Sequence, residues 1–152
     1  MMTLPLEREA IMPRLDGIRK NILKLQALGK LPFENFKNGD SFDLAQHHLR
    51  LALEGVFHIG AHILSRLPGE RTVEYRGIAE KLGDAGVVDK AFSEKSLVPM
   101  AKMRNLLVHQ YADLDAKRLY DVINNHLPDI ETFLRAVKEV VEAPERFGLS
   151  VN

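Results

Sequence analysis

The 152-residue chain contains no cysteine. That absence removes disulfide staples, thiolate nucleophiles and cysteine-ligated zinc together, and it suits a reducing cytosol, so a cytoplasmic protein is expected. Net charge is missing too, because 21 basic and 21 acidic side chains cancel. A globally basic nucleic-acid coat is thereby excluded, and any RNA contact has to be local. No apolar run approaches the ~18 residues of a membrane span, and the opening "MMTLPLEREAIMPRL" carries acidic residues where a signal peptide needs an apolar core. A soluble protein with no membrane partner is expected. Internal repeats, low-complexity tracts, alternating strand-like patterns and a glycine-rich phosphate loop ahead of a helix are also lacking. What is present, 45% apolar and 28% charged residues, has globular proportions. The length predicts one domain over residues 1–152, its core at about 12–142, large enough to need no cross-links.

The periodicity is helical throughout. Leu4, Ile11, Leu15, Ile18, Ile22, Leu25 and Leu28 step at threes and fours and predict a first helix from near Pro5 to Leu28, kinked or begun at Pro13. "GKLPFENFKNGDSFD" reads as a loop with Ser41 as N-cap. A second helix, about Phe42 to Arg66, is apolar over much of its circumference and should be central, with Gly55 and Gly60 admitting close neighbours. A short third helix spans about Tyr75 to Leu82, and a fourth starts near Asp89 or Ser93, with Pro99 inside it. Asp113 or Asp115 can cap a last helix from residue 116 to about 142, which Pro128 should kink or divide. The sum is an all-α, antiparallel four- to five-helix bundle.

One stretch of the fourth helix, "RNLLVHQY" at 104–111, concentrates chemistry. Arg104 can grip a phosphate through paired hydrogen bonds, and His109 is of the one residue type able to move protons near neutral pH. Together they suffice for metal-free RNA cleavage, in which the 2′-hydroxyl attacks the neighbouring phosphorus, a base takes its proton and a cation stabilises the added charge. DNA lacks that hydroxyl and would be inert. Five residues turn a helix through ~140°, so the pair flanks a groove instead of sharing a stripe, whereas Asn105 shares the face of His109. One chain therefore offers half a clamp, and a two-fold dimer would bring two copies together. An arginine five before a histidine arises by accident in roughly 0.4 chains of this length, but a tyrosine two residues later lowers that to roughly 0.01. The structural alternative is a helix-end pair, with Arg104 bridged to an acidic neighbour and His109 at the C-terminal dipole.

This motif resembles the arginine-four-histidine-x-tyrosine signature of the HEPN domain family, in its HepT-like toxin branch. The likeness extends to "FDLAQHHLRLALEGVFHIGAHIL", "EYRGIAEKLGDAGVV" and "LYDVINNHLPDIETFL", and so from Met12 to about Val141. It implies a dimeric helical bundle and a metal-independent RNA endonuclease toxin of a type VII toxin–antitoxin system. Arg104 and His109 would be catalytic and Asn105 a supporting polar residue. Tyr111 would be the acceptor to which a cognate minimal nucleotidyltransferase antitoxin transfers AMP from ATP. A bulky anion two residues from the histidine would repel an RNA phosphate. No resident cofactor is implied, ATP being the partner's substrate. Gln110 departs from the small residue, often glycine, common at its place. The alternative is a catalytically inactive HEPN dimer that binds nucleotide or a nucleotidyltransferase.

Glu54, His58 and His62, spaced by four, form the best metal-ligand candidate, but His62 falls among Leu44, Leu51 and Gly55, so an internally hydrogen-bonded core histidine is expected instead. His47, His48 and His126 are expected at surfaces or interfaces. Tyr120, Val122, Ile123, Leu127, Ile130, Phe133, Leu134 and Val137 at helical spacing are expected core.

Overall fold

Helices that bury a stripe of residues need neighbours to bury it against, and the computed structural model, which describes residues 4–109 and 114–152, shows how each stripe is covered. Helix α1 (Arg8–Gly29) turns Ile11, Leu15, Ile18, Ile22 and Leu25 inward, and Pro13 is accommodated within it. Its start is later than the sequence pattern places it. Leu6 is drawn into the core by a parallel bridge to Val151, donating its N–H to the Ser150 carbonyl at 2.8 Å, while Leu4 stays 68% exposed. The two ends of the chain are thus tied together.

The segment after α1 is less loop-like than expected. A short turn, α2 (Phe33–Phe36), sets Phe36 in the core, and Phe33 and Phe36 pack on Tyr120 at 5.3 and 5.1 Å between ring centroids. The Tyr120 hydroxyl donates to the Leu31 carbonyl at 2.5 Å and holds the crossover to the far side of the bundle. Helix α3 (Ser41–Leu64) packs on α1 along its length and also meets the fourth, sixth and seventh helices, which makes it the central element expected. Asp40, not Ser41, occupies its N-cap position, and neither side chain caps it. Its glycines mark the close approaches: a Cβ on Gly55 would lie 2.7 Å from Ile18 and one on Gly60 2.8 Å from Leu82.

Helix α4 (Tyr75–Asp84) leads to α5 (Lys90–Phe92), a π-helical turn (Ser93–Leu97) and α6 (Val98–His109), the last three contiguous. The π turn ends just before Pro99, which has no N–H for the Lys95 carbonyl and whose ring crowds it, so a widened turn absorbs the mismatch. Helix α7 (Ala116–Asn125) is capped by Asp115, whose carboxylate accepts from the Arg118 N–H at 2.7 Å. The expected division falls at His126, and α8 (Leu127–Glu142) then begins with Pro128 in its first turn, where a missing N–H costs nothing. Ile123, Leu127, Ile130, Phe133, Leu134 and Val137 are buried as expected, with Tyr120 and Val122 at the edge of the core. Taking α5 to α6 as one rod and α7 to α8 as another, the described residues form a bundle of five helical segments without a β-strand. No helix among them is long and apolar enough to cross a membrane.

Candidate functional site

Helix α6 carries the motif because its Met100, Ala101, Met103 and Leu107 face the core and fix its rotation. That rotation leaves Lys102, Asn105 and His109 exposed and puts Arg104 at the boundary, where α6 meets α3 and α4. Arg104, Asn105 and His109 line one open groove, with Val73, Glu74, Tyr75 and Arg76 on its far wall and Lys102 and Leu106 on the near one. The divergence of Arg104 and His109 around the helix does place them on a groove, as their spacing requires. His109 is the last described residue of α6. Gln110, Tyr111 and Asp113 lie outside the described residues.

Arg104 is held from three directions. One terminal nitrogen donates to Glu54 Oε2 on α3 at 3.1 Å and the other to Asn105 Oδ1 at 3.3 Å. The guanidinium carbon stands 4.4 Å over the ring of Tyr75, which is itself stacked on the buried Phe57 at 4.8 Å. The Arg104 and Glu54 side chains are only 21% and 19% exposed, so water screens this pair less than an ordinary surface one. Glu54 also takes a 2.7 Å bond from Arg50 through its other oxygen. Among the described residues the buried Nε of Arg104 finds no acceptor, and each terminal nitrogen keeps one proton for a ligand.

Of the expected internally hydrogen-bonded core histidine, the hydrogen bond of His62 is present and the core burial is not. Glu54 is occupied by its two arginines, His58 pairs with the Tyr75 hydroxyl at 3.3 Å, and His62 Nε2 accepts the N–H of Glu7 at 3.0 Å. His62 is not in the core: Leu44 and Leu51, the neighbours that suggested burial, are themselves exposed. The buried stripe of α3 runs instead through Leu49, Ala52, Leu53, Val56, Phe57 and Ile63, because a helix apolar on most sides does not reveal which face turns inward. His47 and His126 are exposed, and His48 is half-buried against Asn21 at 2.9 Å. Burial pushes the His58 imidazole below its ordinary value, with Arg14 and Arg104 adding to the effect and Glu54 opposing it. Burial pushes the Tyr75 hydroxyl up, with Arg104 opposing and Glu54 adding.

Sequence reasoning singled out Arg104, Asn105 and His109 but missed Tyr75, Lys102 and Arg76 around them, and it gave Glu54 a different role. Residues fifty positions apart carry no local signal of their contact; only their place at the rim of an apolar stripe hints that they face a neighbour.

The family description "Ribonuclease HepT-like" matches residues 18–137, well over half of the chain. By structure the chain is similar to a tri-AMPylated HEPN toxin of Shewanella oneidensis solved in complex with MNT antitoxin, with TM-score 0.78 and 23% identity, covering 86% of this chain and 98% of that one. It is also similar to a toxin–antitoxin complex solved with AMP-PNP, at TM-score 0.76 and 20% identity, covering 86% and 98%. A third likeness is to YutE, a cytosolic protein of unknown function from Bacillus subtilis, at TM-score 0.73 and 17% identity, covering 93% and 95%. At these identities the structural likeness carries the fold. Among curated proteins none matches the chain in sequence.

Proposed function

The chain belongs to the HepT-like ribonucleases, and from that membership we propose that it is the RNA-cleaving toxin of a toxin–antitoxin pair, working from the groove that Arg104, Asn105 and His109 share. The observation that carries this reading is the convergence of a phosphate-gripping cation, a proton-moving imidazole and an amide on one open groove of the family's fold. In the proposed reaction the 2′-oxygen forms a bond to phosphorus as the bond to the 5′-oxygen breaks. The proton leaves the 2′-hydroxyl for a base, and a proton returns to the departing 5′-oxygen. In this reading His109 exchanges these protons, while the remaining N–H groups of Arg104 bind the charged phosphoryl oxygens. The products are a 2′,3′-cyclic phosphate and a free 5′-hydroxyl. Two protomers around a two-fold axis would double the donors facing one RNA backbone.

Regulation follows the same line. A minimal nucleotidyltransferase partner transfers AMP from ATP to Tyr111, two residues beyond His109, and the added negative charge repels RNA from the groove. The support is the position of Tyr111 in the motif and the likeness to a toxin described as AMPylated and bound to an MNT antitoxin. A purified protein that cuts structured RNA, set beside a His109→Ala variant of equal thermal stability that loses at least about a hundredfold in rate, is the expected result. Equal cleavage by the two would sink the assignment of His109. Incubation with ATP and the partner should add mass in AMP units to the wild type and none to Tyr111→Phe; an unchanged yield in the variant would put the acceptor elsewhere.

The tie between Arg104 and Glu54 favours one other reading, a silent dimer that binds a nucleotidyltransferase or nucleotide and has its arginine engaged structurally. Wild-type protein without cleavage that still binds the partner would select it.

A further inference from the structure

Arg104 reaches the groove from a setting that two other helices build. Glu54, on α3, meets one of its terminal nitrogens at 3.1 Å, and Tyr75, at the first position of α4, lies under its guanidinium at 4.4 Å. Behind these two stand further supports. Arg50 anchors the second carboxylate oxygen of Glu54 at 2.7 Å, Phe57 stacks against the Tyr75 ring at 4.8 Å, and His58 meets the Tyr75 hydroxyl at 3.3 Å. Arg50, Glu54, Phe57 and His58 all lie on two adjacent turns of the long central helix.

We propose that Glu54 and Tyr75 are positioning residues: they form a clamp that fixes the plane and azimuth of the Arg104 guanidinium, so that its free N–H groups meet an RNA phosphate without first being ordered. The inference rests on the reading of Arg104 as the phosphate-binding cation and extends it to residues outside the motif. The physical reason is entropic. An arginine carries several freely rotating bonds, and ordering it at the moment of binding would subtract from the stabilisation it gives to the transition state. A carboxylate fixes one nitrogen and a ring face fixes the plane; both are needed, because either alone leaves a rotation free. The carboxylate touches only one of the terminal nitrogens, so the cation keeps donors for a second anion.

Two measurements on the full chain test this. The first reads Arg104 itself by nuclear magnetic resonance of the arginine side-chain nitrogens, assigned with an Arg104→Lys variant. In the wild type the terminal N–H protons should give separate, slowly exchanging signals, and in Glu54→Ala they should merge. The second is steady-state cleavage of an RNA oligonucleotide. Glu54→Ala and Tyr75→Leu should each lose about tenfold to a hundredfold in kcat, with KM within about threefold of wild type. Glu54→Gln, which keeps an acceptor oxygen, and Tyr75→Phe, which keeps the ring face, should recover most of that loss. Should Glu54→Ala fail to fold, the Gln and Phe variants and the wild-type spectrum still decide. Merged signals in the wild type, or faster cleavage by Glu54→Ala, would overturn the clamp. A wild type with separate signals and no cleavage would leave the clamp in place and overturn the nuclease reading instead.

Discussion

His62 is a residue whose charge state the fold constrains. Its Nε2 accepts the N–H of Glu7 at 3.0 Å, just ahead of α1, and can do so only while unprotonated. Burial lowers its pKa from the ordinary 6.5, Arg66 and Arg14 lower it further, and Glu7 works the other way. His58 and His48 are lowered as well, first by burial. When the folded value lies below the unfolded one, the unfolded chain takes up the proton first as pH falls. The stability contributed by neutral His62 is therefore complete above the unfolded value of 6.5 and is lost as pH falls through the lower folded value. The melting temperature should accordingly drop as pH falls below 6.5, and His62→Gln should drop less steeply there. Parallel curves for the two proteins in calorimetric scans would show that His62 carries none of the dependence.

Among the elements, the seam between α4 and the π turn before α6 is a tight one. A Cβ on Gly83 would come within 2.6 Å of the Ser93 Cβ and 2.8 Å of its hydroxyl oxygen. Ser93 cannot swing aside freely, since it is 1% exposed and its hydroxyl donates to the Ala79 carbonyl at 2.7 Å. Gly83→Ala should thus cost stability by overpacking, about 1–3 kcal/mol, with little helix-propensity gain to offset it so near the end of α4. Urea unfolding monitored by circular dichroism checks this, and an unchanged or higher midpoint would show that the seam yields. The same seam bears on the groove, because the π turn sets the register with which α6 leaves it and hence the direction in which Arg104 points.

At the scale of the whole molecule, the groove lies between α6 and the start of α4 and, among the described residues, is open to solvent. Exposed Leu44 and Leu51, a heptad apart on α3, and Leu23 on α1 leave apolar surface that a second copy could cover. If the proposed dimer is the active unit, specific activity should fall as the protein is diluted through the concentration at which sedimentation shows dimers separating. Activity per chain that stays constant into the monomeric range would remove the dimer from the mechanism.

The helical class, the central place of α3, the break near Pro128, an aspartate cap at 113 or 115 and the close approaches at Gly55 and Gly60 were all legible in the sequence. Each rests on local spacing or on a residue whose backbone geometry is restricted, and such signals act within a few positions of the chain. Arg104, Asn105 and His109 could be placed on one helix from the sequence for the same reason, being near neighbours along the chain. Tertiary structure alone decided which face of α3 turns inward, since a helix apolar on most sides fits more than one rotation until α1, α4 and α6 are packed against it. It also decided that Glu54, which by spacing looked like one ligand of a metal stripe, is the counter-ion of Arg104, and that Tyr75 lies beneath the same guanidinium. Contacts across fifty or thirty residues are set by how helices cross, and that geometry emerges only when the whole core is filled.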